Sequence, residues 1–256
     1  MGDFDGKRVL LTGASTGIGA ALALALGQEG ARVMLFARRE EQLRDVQRQV
    51  EESGGQALAH PGDVTDQQAL DEAVAKMVAE WGGVDLVIAN AGLGDATKLD
   101  KMHARVENLV ALIDVNVNGA IRTIVAALPT LLAQGSGHIV GVASPAGVRG
   151  LPGTGTYSAS KAALSRFLES LRAPCRARGI MVTTVHPGFV RTSMTDKNRF
   201  KMPFLIEPEA AAQHILRAIR GRRREYVFPW QISIMIRAIG ALPNALFDNI
   251  MGRIRT

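Results

Sequence analysis

Three residues in the second half of the chain could move a proton together. Tyr157 and Lys161 stand at i and i+4 in Tyr157-Ser158-Ala159-Ser160-Lys161, so on a helix their side chains share one face. A phenol titrates near pH 10 and is a poor acid or base at neutrality. A neighbouring ammonium favours phenolate. Lowering the phenol pKa by roughly three units takes about 4 kcal/mol of differential stabilisation. Ser144 follows an apolar run at 138–142 and offers a second hydroxyl. Two hydroxyls converging on one oxygen suit proton exchange with an alcohol or carbonyl.

A second pattern supplies a partner for that chemistry. Thr12-Gly13-Ala14-Ser15-Thr16-Gly17-Ile18-Gly19 follows an apolar run at 7–11 and leads into a helical pattern at 17–29. Glycines between a strand and a helix allow a tight turn and close backbone approach to a pyrophosphate, which the helix N-terminus then favours. The next apolar run, 32–36, leads to Ala37-Arg38-Arg39. Dinucleotide sites that select NAD carry an acid about here, on the ribose 2′-hydroxyl. This chain has two guanidinium groups instead, which pair with a 2′-phosphate. Arg38 is expected as the main 2′-phosphate ligand and Arg39 as a second contributor. NADP is favoured over NAD.

The Thr-Gly-x-x-x-Gly-x-Gly spacing, with Ser144, Tyr157 and Lys161 in order behind it, resembles the short-chain dehydrogenase/reductase family. The resemblance runs from about residue 6 to residue 192. It implies hydride transfer between NADP(H) and a carbonyl or secondary alcohol, with Tyr157 as general acid/base. It implies that Gly13, Ser15, Thr16, Gly17, Ile18 and Gly19 hold the pyrophosphate, and that Asp63 and Val64 bracket the adenine. Asn90, Ala91 and Gly92 would back the adenosine ribose; Ala89 stands where the family more often has asparagine. Asn116 would mark a helix distortion that holds a water near Lys161. Lys161 would hold the nicotinamide ribose, and Pro187, Gly188, Val190 and Thr192 would meet the nicotinamide. A homodimer or homotetramer is also implied.

These residues need a frame. Apolar runs at 7–11, 32–36, 57–60, 84–89, 138–142 and 181–186 alternate with helical patterns at 17–29, 40–52, 66–81, 104–132 and 157–178. Such alternation predicts right-handed crossovers and a single α/β domain, a doubly wound parallel sheet of about seven strands over residues 1–256. The runs lack polar alternation, as expected of strands covered on both faces. Residues 226–228 read as a last strand.

Bulk composition removes other classes. The single cysteine, Cys175, forbids an internal disulfide and makes a cysteine metal site untenable, so no metal is expected. The N-terminus lacks a signal-peptide core, and no run of 18 apolar residues occurs, so a cytoplasmic protein without a spanning helix is expected. The net charge of +6 suits an anionic dinucleotide; no nucleic-acid module is present.

Two segments concern the substrate. Residues 188–206 carry Phe189, Met194, Phe200, Met202, Phe204, Leu205 and Ile206, and read as a lid over an apolar substrate. Residues 230–256 form an apolar helical extension interrupted at Pro243. It is expected across the substrate mouth or a subunit interface; packing on its own domain is the next choice, and a membrane surface the least favoured.

Overall fold

The computed structural model describes residues 3–97, 99–196 and 201–252. Strands β1 (Arg8–Thr12), β2 (Arg32–Ala37), β3 (Gln56–Pro61), β4 (Leu86–Ala89), β5 (Gly137–Val142), β6 (Ile180–Pro187) and β7 (Glu225–Phe228) form one parallel sheet of order β3-β2-β1-β4-β5-β6-β7. Side chains alternate across it. Val9, Leu11, Val33 and Leu35 enter the core on one face, whereas Leu10, Met34 and Phe36 enter the other. Period-2 alternation is thus present, but both sides are apolar because both are covered.

Helices α1 (Gly17–Gln28), α2 (Glu40–Glu52) and α7 (Pro208–Arg220) cover the first face. Helices α3 (Gln67–Trp81), α5 (Ala120–Gln134) and α6 (Gly155–Arg176) cover the second. Chain order reverses between β1 and β4, and doubly wound sheets bind ligands at the carboxyl ends of strands beside such a switch.

The single helix expected at 104–132 is not continuous α-helix. A 3-10 turn (His103–Arg105) precedes α4 (Val106–Ile113), a π-helical segment (Asp114–Gly119) follows, and α5 resumes at Ala120. The segment buries Asn116 completely and so draws a polar residue into the protein. The whole stretch His103–Gln134 is long and apolar enough, by length and composition, to cross a membrane. Buried core helices pass the same test, and Asp114, Asn116, Asn118 and Arg122 interrupt the apolar run. Its residues Ile124, Ala127 and Leu131 pack into the core.

The extension forms α8 (Trp230–Ala241) and α9 (Asn244–Gly252), broken at Pro243 as the sequence predicts. Ile232 of α8 is buried close to Gly188, and Phe247 of α9 is buried as well. Arg253, Ile254 and Arg255 of the predicted extension lie outside the described residues, as does Phe200 of the predicted lid.

Candidate active site

The glycine turn leaves β1 at Thr12 and opens α1. Gly13 and Gly17 adopt left-handed φ values of 67° and 56°, which glycine reaches without the steric cost of a side chain. A Cβ on Gly19 would lie 2.0 Å from the Gly13 carbonyl oxygen. Thr16 precedes α1 without capping it, and the first turn contains no acid. The helix N-terminus is therefore left for an external anion. Thr192, from the segment after β6, approaches over this turn; its Cγ2 would be 3.0 Å from a Cβ on Gly17.

Asn90, just past β4, joins the two halves of the sheet. Its Nδ2 donates to the Thr12 carbonyl at 3.0 Å and its backbone N–H donates to Thr12 Oγ1 at 3.2 Å. The Ala91 N–H also reaches Thr12 Oγ1, at 3.3 Å. Thr12, to which the sequence assigns no role, thus ties the glycine turn to the end of β4.

At the end of β2 the two arginines divide. Arg39 Nη2 donates to Thr16 Oγ1 at 2.8 Å and to Ser15 Oγ at 3.3 Å. Arg38 faces Asp63, with Nη1 3.6 Å from Oδ2. The Asp63 Oδ1 accepts from the Thr65 N–H and hydroxyl, both at 2.9 Å. Burial would raise the Asp63 carboxyl, but Thr65 and Arg38 outweigh it and hold it below the usual carboxylate range. Val64 is buried against Gly119, where a Cβ would meet its Cγ2 at 2.5 Å.

The hydroxyl and ammonium groups singled out in the sequence converge past β5. Ser144 starts a 3-10 turn (Pro145–Gly147), where its Oγ accepts from the Ala146 N–H at 3.2 Å. Tyr157 and Lys161 lie one turn apart on α6, with Lys161 Nζ 5.8 Å from the Tyr157 ring centre. Lys161 Nζ donates to the Val142 carbonyl at 2.8 Å, and burial lowers its pKa to about 8. Burial raises the Tyr157 phenol above its ordinary value, against a hydrogen bond with Ser144 that lowers it. The expected depression by Lys161 is therefore not found among these residues. The ammonium is itself desolvated and is committed to a carbonyl oxygen.

Asn116 completes the group. Its Oδ1 accepts from the Leu93 N–H at 2.6 Å; its Nδ2 donates to the Leu93 carbonyl at 2.9 Å and to Ser160 Oγ at 3.0 Å. Ser160 in turn donates to the Tyr157 carbonyl at 2.7 Å. Ser160, not among the residues expected at the site, thus links the π segment to α6. Gly92 lies between them: a Cβ there would be 3.2 Å from Asn116 Oδ1 and 3.6 Å from Lys161 Nζ.

Pro187 ends β6, and the Gly188 N–H donates to the Phe228 carbonyl at 2.7 Å. Val190 pairs with Ile206 in an isolated parallel bridge beyond β6. Met194 of that segment packs against Gly94, where a Cβ would meet its Sδ at 2.8 Å. Every described residue of the sequence-derived set falls along one edge, the carboxyl ends of the strands.

Comparison with known proteins decides the family. The short chain dehydrogenase family model matches residues 7–202. This chain belongs to the short-chain dehydrogenase family. An uncharacterized oxidoreductase of Myxococcus xanthus is 42% identical over 255 residues, covering 100% of both chains. A short-chain type dehydrogenase/reductase from Mycobacterium marinum superposes with a TM-score of 0.80 at 29% identity, over 88% of this chain and 94% of that one. A short chain dehydrogenase from Mycobacterium paratuberculosis, solved bound to NAD, gives 0.79 at 25% identity, over 88% and 97%. This short-chain dehydrogenase is accordingly an oxidoreductase of a family that uses nicotinamide coenzymes on small molecules. Its π segment at Asn116 explains why one continuous α-helix fails there. Among the described residues no cluster of histidine, cysteine and carboxylate side chains could hold a metal ion.

Proposed function

We propose that the protein transfers a hydride between NADP(H) and the carbonyl or secondary alcohol carbon of an apolar small molecule. The observation that carries this reading is the convergence of Ser144, Tyr157, Lys161 and Asn116 beside an uncapped glycine turn. The residues present fit a dinucleotide. Glycine turn and helix N-terminus suit a pyrophosphate, Asp63 and Val64 an adenine, and Asn90 to Gly92 a ribose. Pro187, Gly188, Val190 and Thr192 would hold the nicotinamide. When bound, the coenzyme supplies or accepts the hydride and, oxidised, adds a positive charge to the site.

In the reductive direction Ser144 and Tyr157 donate hydrogen bonds to the substrate oxygen, and Tyr157 gives up its phenol proton. Lys161 would hold the nicotinamide ribose, and its ammonium stabilises the resulting phenolate. Asn116 fixes the backbone through which the proton is replenished from solvent. Oxidation reverses each proton movement. NADP is preferred because Arg38 and Arg39 stand where an acid would repel a 2′-phosphate. NAD is the second reading, favoured by the NAD-bound neighbour. Residues Val106, Val110, Val125 and Leu132 leave an exposed apolar face on α4 and α5, and a second copy is proposed to cover it.

The test is turnover of Tyr157→Phe against a panel of ketones with NADPH and NADH. The variant is expected to lose at least about 10²-fold in kcat. Wild-type turnover in the folded variant would overturn the scheme.

A further inference from the structure

A cleft of about 490 Å³ adjoins the stretch Gly150 to Thr156 that leads into Tyr157, within the range of about 300–1,000 Å³ typical of small-molecule sites. Thr156, the neighbour of Tyr157, lines it. Met102, Leu109 and Leu151 line it from the body of the protein, and Phe247 and Met251 line it from α9. At its polar end Asp95 is held by Arg105 Nη2 at 2.8 Å and by the Thr97 hydroxyl. The Thr97 N–H also donates to the Gly153 carbonyl at 2.7 Å, which ties the loop after β4 to the loop before Tyr157.

The α9 wall has little stability of its own. Helix α9 is 9 residues long, and an isolated helix shorter than about 12 residues is marginal in water. Its position therefore depends on tertiary contacts, and Arg149 makes three. Arg149 Nη1 donates to the Leu242 carbonyl at 3.0 Å, and Nη2 donates to Asn244 Oδ1 at 3.2 Å. The guanidinium lies 4.1 Å above the Phe247 ring centre, a cation–π distance. Arg149 belongs to the same loop as Ser144. Its neighbour Val148 supports α8, since a Cβ on Gly240 would come within 3.1 Å of Val148 Cγ1.

We propose that Arg149 is a positioning residue that latches the C-terminal extension over this cleft, and that the cleft takes the apolar, non-reacting chain of the carbonyl substrate. The proposal rests on the hydride-transfer reading above. It assigns the extension to selection of substrate length. It gives Arg149 a role in binding the remote chain rather than in the chemical step.

The probes are 2-butanone and 2-undecanone, which carry the same reacting group on short and long chains. Arg149→Ala is expected to lower the kcat/KM ratio of long over short ketone about tenfold, the effect of losing contacts to about two methylenes. The change should fall mainly on KM. Arg149→Lys keeps the charge but loses the fork and should recover part of the ratio. Phe247→Ala should lower the ratio as Arg149→Ala does, which covers the case in which Arg149→Ala fails to fold. An unaltered ratio in folded Arg149→Ala or Phe247→Ala overturns the latch and leaves the role of Tyr157 standing. Calorimetric binding of 2-undecanone in the Tyr157→Phe background separates the two readings when turnover is absent. Weaker binding with Arg149→Ala added supports the latch; equal binding, or none to either protein, overturns it.

Discussion

Arg39 holds its Nη2 2.8 Å from the Thr16 hydroxyl, across the turn that opens α1. The contact places a guanidinium beside the uncapped helix N-terminus, whereas Arg38 leans toward Asp63. We propose Arg39, which the sequence ranks second, as at least an equal partner of Arg38 in coenzyme selection. A charge-assisted hydrogen bond contributes about 1.5–3 kcal/mol. Arg39→Ala is expected to lower kcat/KM for NADPH about ten- to a hundredfold more than for NADH. Steady-state kinetics with both coenzymes checks this. An equal loss for both would make Arg39 a brace for the turn alone.

Asn116 satisfies both polar groups of Leu93 from inside the protein. Asn116→Ala strands the half-buried N–H and carbonyl of Leu93 and the buried Ser160 hydroxyl, at a cost of about 1–3 kcal/mol in all. Thermal unfolding is expected several degrees lower, at about 2–4 °C per kcal/mol for a chain of this size. Asn116→Asp is expected to fare worse despite its shape. It still accepts from Leu93 but sets a buried carboxylate against the Leu93 carbonyl and can no longer donate to Ser160. Melting curves of the two variants, read beside kcat, distinguish this from a surface role, in which aspartate would be tolerated.

The sheet was legible because each βαβ unit carries its own signals. Apolar runs, glycine stops and amphipathic stretches are local, and topology rules then leave few arrangements. That Ser144, Tyr157 and Lys161 stand close together was legible because their motifs are contiguous or lie within one unit. The π segment is legible only through the family resemblance, which marks a helix distortion at Asn116: locally Asp114, Asn116 and Asn118 look like polar interruptions of a helix, and the distant Leu93 and Ser160 explain the burial of Asn116. Arg149 was equally silent, because its partners Leu242, Asn244 and Phe247 lie far along the chain. Nor does any local pattern reveal that Lys161 binds the Val142 carbonyl.

Gly19 offers a sharper test of the glycine turn than the glycines with left-handed φ. Its added Cβ would meet the Gly13 carbonyl oxygen at 2.0 Å, a backbone atom that cannot rotate away. Gly19→Ala is expected to abolish coenzyme binding, measured by quenching or calorimetry with NADPH. Gly155 at the start of α6 meets nothing within 4 Å. Gly155→Ala should hold or raise thermal stability, by about 0.4–1 kcal/mol. Normal NADPH binding by Gly19→Ala would show that the turn relaxes.

His138 on β5 gives the fold an acid-sensitive point away from the site. Burial, assisted by Arg222, lowers its pKa to about 4. Its Nε2 lies 2.8 Å from Thr183 Oγ1, and that hydroxyl donates to the Arg223 carbonyl. The oxygen therefore accepts from a neutral imidazole protonated at Nε2. An unfolded histidine titrates near 6.5. Between about pH 6.5 and about 4 the unfolded chain binds the extra proton and the folded one does not. This contribution is intact above about pH 6.5 and is lost as the pH falls toward 4, at about 1.4 kcal/mol per unit. His138→Gln keeps a donor toward Thr183 without a titrating ring. Urea unfolding at pH 7 and pH 4.5 should show the parent protein losing about 2–3 kcal/mol more than the variant across that interval. Parallel losses in the two proteins would assign the acid sensitivity to other groups.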